Sequence, residues 1–249
     1  MTNEPRSLPT LLWTLILLNT IARVATPIES YEVMAVTPGR VIKHEVELKG
    51  PFDDDVVERF LVGPQLFSHA VGMAKNNIEQ PKAYLNWYRI TKPIDEPKRV
   101  LSVRDALRGN DTQQITIDQP AYLLSPAQRL TSGSPSAIPG TLNYFVAYTI
   151  NPAPEIKQKV KLAGTFGAED RTATQAVFLC VPVQHWHHHE HSPIKTARRC
   201  LVVYELLSQK HETTVTTMDQ FGLNKLEAQS SNWLAVDAEM VEREPTKAE

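Results

Sequence analysis

Five of the eight histidines in this chain fall in one short segment, and imidazole is the commonest metal ligand among protein side chains. They are His185, His187, His188, His189 and His191. Neutral imidazoles bind zinc, copper or nickel, and closely spaced histidines can chelate these ions without a preformed pocket. Adjacent side chains on one loop cannot all point at one ion. The segment therefore has two interpretations, a solvated loop that responds to pH or a site for a zinc, copper or nickel ion.

The chain has two cysteines, Cys180 and Cys200, one on each side of the histidine segment. Two cysteines are too few for a disulfide-rich scaffold or a thiolate zinc site. A bridge between them would close a loop of about 20 residues and stabilise the fold by about 3 kcal/mol in the chain-entropy model. We predict this disulfide, chiefly because the N-terminus has the layout of a secretion signal. Two unpaired, buried thiols are the alternative.

The sequence lacks the motifs that usually mark an enzyme. It has no G-x-S-x-G elbow, no phosphate-binding G-x-x-x-x-G-K-[ST] loop, no G-x-G-x-x-G and no H-E-x-x-H. The segment His189-Glu190-His191 is too short for the last of these, which needs two histidines one helical turn apart. We therefore predict a protein that is not an enzyme. A hydrolase with paired carboxylates stays as an alternative.

The histidines and cysteines lie within a chain of four degenerate repeats. An internal repeat is the first feature to establish, because it determines the class of fold. A tyrosine followed two positions later by an aliphatic residue recurs every 56 to 60 residues, at Tyr31, Tyr88, Tyr148 and Tyr204. A second piece follows each tyrosine and starts at Val46, Leu101, Val160 or Val215. A third piece starts at Leu66, Leu123, Leu179 or Leu234. Twelve pieces in the same order at similar spacing indicate tandem repeats.

Alternating apolar positions and frequent turn residues predict that each repeat forms three β-strands. The predicted fold is all-β, with the repeats arranged as a sandwich or a barrel-like pair, or alternatively as a four-bladed propeller-like ring. The Ser-, Pro- and Gly-rich stretch 131–141 reads as a linker between two β domains, residues 31–130 and 142–241. Residues 242–249 form a charged tail.

Residues 1–30 stand outside the repeats. The run from Ser7 to Ala22 carries no charged residue and follows a short start that contains Arg6, which is the layout of a secretory signal peptide. The alternatives are an uncleaved N-terminal anchor, which would be the protein's one contact with a membrane, and a buried cytosolic helix. We therefore predict a secreted or periplasmic location. The net charge of −2 argues against a nucleic-acid partner.

Two stretches of the later repeats carry a family resemblance. Leu179-Cys180-Val181-Pro182-Val183 and Asp219-Gln220-Phe221-Gly222 resemble an uncharacterised tandem-repeat β domain of secreted bacterial proteins. That resemblance implies a cysteine pair in each copy, and this chain departs from it because Cys200 stands four positions before Tyr204 rather than directly before it. The resemblance implies no activity.

These observations together predict a non-catalytic extracytoplasmic module, structural or binding, whose partner is an unknown protein or a cell surface. No cofactor is predicted apart from the candidate zinc, copper or nickel ion. A metal-binding envelope protein that uses the loop from His185 to His191 is the first alternative, and a hydrolase is the second.

Overall fold

A computed structural model describes residues 30–73, 82–92, 96–109, 111–131, 135 and 137–243. Twelve strands, paired in antiparallel fashion throughout, and no helix occupy these residues, so the all-β prediction is confirmed. The predicted signal peptide or anchor lies outside the described residues except for Ser30, as does nearly all of the predicted tail. Along the part of the chain that is described, no helix is long and apolar enough to cross a membrane.

The strands follow the order of the predicted pieces. They are β1 (Ser30–Pro38), β2 (Ile42–Lys49), β3 (Val57–Met73), β4 (Tyr84–Thr91), β5 (Arg99–Asp105), β6 (Thr112–Leu130), β7 (Tyr144–Ile150), β8 (Glu155–Gly164), β9 (Gly167–His187), β10 (Glu190–Ser192), β11 (Arg199–Asp219) and β12 (Gly222–Arg243). Each repeat contributes a first, a second and a long third strand. In the fourth repeat the first two strands run together as β11, and β10 is an addition after the third repeat.

Each repeat is a long hairpin in which the first and second strands lie along the third. Alternation of side chains produces this arrangement, as in β8, where Val160 and Leu162 are buried while Lys159 and Lys161 are exposed. Side chains of a strand point alternately to its two faces, so such a segment covers a core with one face and meets water with the other.

The first and third strands close a ring of eight. The hydrogen-bonded order is β1, β3, β4, β6, β7, β9, β11, β12 and back to β1. One apolar cluster receives a side chain from every ring strand, as the interior of a closed ring requires. Its members include Tyr31, Leu66, Leu85, Leu124, Phe145, Cys180, Leu201 and Ala235. The four repeats thus form one ring, which is not a regular barrel because four further segments leave it.

We call these four segments the arms: β2, β5, β8 and residues 213–219 of β11. Each arm pairs with the end of the third strand of the repeat two places along the chain. The contacts run from β2 to β9, from β5 to β12, from β8 to β3 and from β11 to β6. Opposite repeats therefore exchange arms in two pairs, the first with the third and the second with the fourth.

The structure changes the alignment of the first repeat. Tyr88, Tyr148 and Tyr204 lie opposite Leu123, Leu179 and Leu234 of their own third strands, and Met34 lies opposite Phe67 in the same position. Met34 is thus the equivalent of the three tyrosines. Tyr31, three residues earlier, points into the ring. The alignment of Tyr31 with the three other tyrosines was therefore wrong. Side chains an odd number of positions apart on a strand lie on opposite faces, so Tyr31 and Met34 do not face the same way.

The predicted boundaries at 31–130, 131–141 and 142–241 stay predictions. Strands from both predicted domains belong to the same sheet, since β6 pairs with β7 and β1 pairs with β12.

The predicted disulfide is absent, and both cysteines are free and buried. The strands that carry the two cysteines are neighbours, because β9 pairs with β11. However, Cys180 lies opposite Leu201, so the adjacent Cys200 points to the other face of the sheet. Cys180 packs inside the ring and Cys200 packs outside it. Two side chains on opposite faces of a sheet cannot bridge without a change of backbone.

We expect dithiothreitol to leave the melting temperature of the native protein unchanged, since there is no bridge to reduce. Both thiols should react with iodoacetamide in denaturant and resist it in the native state, because burial raises the pKa of Cys180 and of Cys200 and removes the reactive thiolate. Mass spectrometry of the alkylated protein measures this. A destabilised protein after reduction would contradict the placement of the two cysteines.

Candidate functional site

The histidine segment forms a hairpin, and strand alternation divides its five histidines. His185 is fully buried at the end of β9, and His187 is half-buried on the same face. His188 and His189 are exposed at the turn that leads to β10. His191 is exposed and stacks on Trp186, with the ring centroids 4.6 Å apart, on the opposite face. Among the described residues, no three His, Cys, Asp or Glu side chains are arranged to hold a metal ion.

His185 is held by neighbours from other strands. Its ring stacks on Tyr144 with centroids 4.5 Å apart, and its Nε2 lies 2.8 Å from Nε2 of Gln220. Tyr144 donates a hydrogen bond of 3.0 Å to Oε1 of the same Gln220. Burial, followed by the nearby histidines His187 and His191, lowers the pKa of His185 to about 4. The imidazole is therefore neutral at pH 7 and packs as part of the fold.

A sixth histidine, His44 of β2, also lies in this region, although it is not among the metal ligands predicted from the sequence. Its ring lies 4.5 Å from the ring of Phe221 and 6.0 Å from that of His187. The pairing of β2 with β9 brings it there, since Glu47 lies opposite Trp186. No local pattern in the sequence signals a contact between repeats two places apart.

Phe221 is the centre of this region, which we call the four-repeat junction: His44, Tyr88, His187 and Phe221. These residues come from β2, β4, the end of β9 and the turn after β11, so that all four repeats meet here. Phe221 contacts Tyr88 at 4.7 Å and His187 at 5.1 Å between ring centroids. The aromatic side chain of the D-Q-F-G turn thus fixes the arm of the fourth repeat against the other three.

Asp219 of the same turn receives three hydrogen bonds. Its Oδ2 accepts from Nδ2 of Asn86 and from the hydroxyl of Tyr88, both at 2.8 Å, and its Oδ1 accepts from the backbone N–H of Phe221 at 2.9 Å. Burial raises the pKa of Asp219 to about 6, and these hydrogen bonds partly offset that effect. The carboxyl group links the arm of the fourth repeat to the first strand of the second.

Asp105 makes the reciprocal connection. Its Oδ2 accepts hydrogen bonds of 2.8 Å from the hydroxyl of Tyr204 and from Nε2 of Gln113, and its Oδ1 accepts one from the N–H of Leu107. The arm of the second repeat is thereby joined to the first strand of the fourth. An aspartate from one repeat and the tyrosine of the opposite repeat thus form the same contact twice.

The first and third repeats replace this aspartate with glycine, at Gly50 and Gly164. Gly164 is packed so closely that a Cβ atom would lie 2.7 Å from Val71 and 2.9 Å from His69. At Gly50 the side chain of Asp53 accepts the backbone N–H at 2.7 Å instead. Between the first and third repeats, the glycine backbone thus packs directly against side chains of the opposite repeat. Aromatic contacts add to this, such as that between Phe52 and Tyr148, whose ring centroids are 5.7 Å apart.

A second buried polar group, which we call the Glu32 network, consists of Glu32, His69, Arg171 and Ser231. Glu32 accepts a hydrogen bond from Ser231 and lies 3.0 Å from Nε2 of His69 and 3.6 Å from Nη1 of Arg171. The carboxylate therefore stands between the hydroxyl and the imidazole. In the Ser-His-Asp triad the imidazole stands in the middle instead, where it takes the hydroxyl proton.

A family model described as a repeat of unknown function (DUF7450) matches residues 84–237, which is more than half of the chain. The chain belongs to the DUF7450 family. No curated protein and no solved structure matches it.

The DUF7450 match begins at the start of β4 and ends within β12, so it covers the second, third and fourth repeats. Both aspartate–tyrosine contacts lie inside it. The predicted resemblance to an uncharacterised repeat domain is confirmed at this level. Secretion and the particular L-C-V-P-V and D-Q-F-G motifs remain predictions.

Proposed function

We propose that this DUF7450 protein is a non-catalytic module that acts outside the cytoplasm and binds a protein or cell-surface partner. The observation that carries the proposal is the position of the residues that the second and fourth repeats have in common. Tyr88, Tyr204, Asp105 and Asp219 are buried in contacts between these two opposite repeats. These shared residues thus maintain the scaffold, and function would belong to the surface that the scaffold displays.

The buried polar groups support a non-catalytic role. Asp105 and Asp219 are occupied by tyrosine, amide and backbone donors. In the Glu32 network the serine hydroxyl contacts the carboxylate and not the imidazole, so the network is not arranged as a Ser-His-Asp triad. A panel of ester and glycoside substrates tests the hydrolase alternative, and turnover that depends on a residue of this network would contradict the proposal.

The tip of the fourth arm supports a binding role. Met218 and Leu223 lie opposite each other across the hairpin and are 39% and 63% exposed. Large apolar side chains that face solvent side by side are typical of contact surfaces, because covering them releases water. The location outside the cytoplasm is supported by the charge-free run from Ser7 to Ala22.

We expect the full chain fused to alkaline phosphatase to be active in a bacterial host, since that enzyme needs an oxidising compartment to form its disulfides. Deletion of residues 1–22 should abolish this activity. Immunoblotting confirms that both fusions accumulate equally. Equal phosphatase activity with and without residues 1–22 would contradict an N-terminal export signal.

Labelled protein should also bind to the surface of cells that produce it, and Met218→Lys with Leu223→Lys should weaken that binding. The control is Val41→Lys with Val56→Lys, which places the same charges at exposed apolar positions of the first repeat. Flow cytometry measures both. Equal binding by the two double variants would exclude the tip of the fourth arm as the contact surface.

A further inference from the structure

The arm of the first repeat and the hairpin after the third repeat bring the imidazoles of His44 and His187 together, and His188 follows directly in the hairpin turn. We infer that His44 and His187 bind one transition-metal ion of the zinc, copper or nickel class, with His188 as the third ligand. The ring centroids of His44 and His187 are 6.0 Å apart. Two imidazoles that bind one ion through nitrogen atoms about 2.1 Å from it have centroids roughly 5–6.5 Å apart. The pair therefore already has the separation that a shared ion requires.

The nitrogen atoms needed as ligands are available. In the described part of the chain, Nε2 of His44 is buried and has no hydrogen-bond partner. An unpaired polar atom in such a place costs free energy unless something binds it. Nε2 of His44 can therefore accept a metal ion without breaking a hydrogen bond inside the fold.

His188 is suited to complete the site. It follows His187 directly, and the two ring centroids are 4.1 Å apart, which is closer than a shared ion requires. Because His188 is exposed at the turn, its side chain can rotate to reach the ion without disturbing the core. Three imidazoles without a carboxylate favour zinc, copper or nickel over calcium or magnesium, which prefer oxygen ligands. The exposed side of the site leaves a fourth position for water.

Two of the remaining histidines of the segment are engaged in other contacts. His185 uses Nε2 for Gln220 and stacks on Tyr144 inside the fold. His191 stacks on Trp186 on the opposite face and contacts Gln184. A chelating loop would depend on His189 and His191, whereas the inferred site depends on His44, which lies 141 positions before His185 in another repeat. Substitution of His44 should therefore weaken metal binding only if the inferred site is correct, and substitution of His189 or His191 only if the loop chelates the ion.

The test is calorimetric titration of the chelator-treated full chain with zinc chloride at pH 7.4. We expect one ion per chain, with affinity lowered by about tenfold or more in His44→Phe and His187→Ala. His44→Phe retains a ring against Phe221 while removing the ligand. His189→Ala and His191→Ala should leave the affinity unchanged. The melting temperature of each metal-free variant shows that it is folded.

Copper titration followed by electron paramagnetic resonance gives a second readout, because nitrogen ligands split the signal. Nitrogen couplings that are lost in His44→Phe support the inferred site. Unchanged zinc affinity in a folded His44→Phe variant, or loss of affinity in His189→Ala and His191→Ala instead, would overturn it. Absence of stoichiometric zinc and copper binding by the unaltered chain would overturn it as well. None of these outcomes bears on the surface-binding function proposed above.

Discussion

Replacing Asp219 with alanine is expected to lower the free energy of unfolding by about 3–5 kcal/mol. The change leaves three buried donors without an acceptor, on Asn86, Tyr88 and the backbone of Phe221, and each orphaned group costs about 1–3 kcal/mol. Urea denaturation of the full chain, followed by circular dichroism, measures the loss.

Asp111 is the matched control, because it is an exposed aspartate directly before β6, and Asp111→Ala should change stability by no more than about 0.5 kcal/mol. Asp105→Ala should resemble Asp219→Ala, since Asp105 makes the same kind of contact with Tyr204. A small effect of Asp219→Ala would show that the fourth arm is held mainly by Phe221 and the backbone pairing.

Glu32→Gln is expected to cost about 3 kcal/mol at pH 7, because it removes a buried charge from the Glu32 network. Burial alone would raise the pKa of Glu32, but hydrogen bonds from His69 and Ser231, together with the charge of His69, outweigh burial and lower it from 4.5 to about 2. Lowering the pKa of Glu32 from 4.5 to about 2 on folding stabilises the protein by about 3 kcal/mol at pH values above 4.5. Chemical denaturation of both proteins measures the difference.

The pH dependence gives this prediction its sign. A carboxyl group with a lower pKa in the folded state than in the unfolded state stabilises the fold fully above its unfolded pKa. That contribution is then lost as the pH falls from 4.5 towards 2. The stability difference between the unaltered protein and Glu32→Gln should therefore shrink between pH 7 and pH 3. Glu227→Gln, at an exposed glutamate, is the control. A stability difference between the unaltered protein and Glu32→Gln that grew as the pH fell would contradict an ionised Glu32 in the folded state.

The repeats were predictable because their pieces recur along the chain. Alternation in segments such as β8 predicts strands, and the order of pieces predicts three strands per repeat. The pairing between neighbouring repeats joins the third strand of one to the first strand of the next, which are close in sequence. The exchange of arms did not follow, because nothing local in Val103 or Leu162 indicates a partner two repeats away.

The errors at individual residues have one common cause. Periodicity of two indicates that a residue alternates between faces, but it does not say which face is inner when both are covered. Both faces of the ring strands are buried here, one inside the ring and one beneath the arms. Tyr31 and Cys180 consequently belong to the inner face, while the aligned Tyr88 and the neighbouring Cys200 belong to the outer one.

The exchange of arms explains why one repeat cannot form this fold by itself. The aspartate of the second repeat is satisfied by the fourth, and that of the fourth by the second. In solenoid proteins each repeat contacts only its neighbours in the sequence, so the stability is approximately a sum of repeat and nearest-neighbour contributions. In this DUF7450 protein the arms also join repeats that are two places apart along the chain.

Double-mutant cycles between the two aspartates and the two tyrosines test this account most directly. The account predicts coupling of about 1–3 kcal/mol for Asp219→Ala with Tyr88→Phe and for Asp105→Ala with Tyr204→Phe. The exchanged combinations, Asp219→Ala with Tyr204→Phe and Asp105→Ala with Tyr88→Phe, should be additive. Additive behaviour in all four combinations, or stronger coupling in the exchanged ones, would contradict the crossing of arms between opposite repeats.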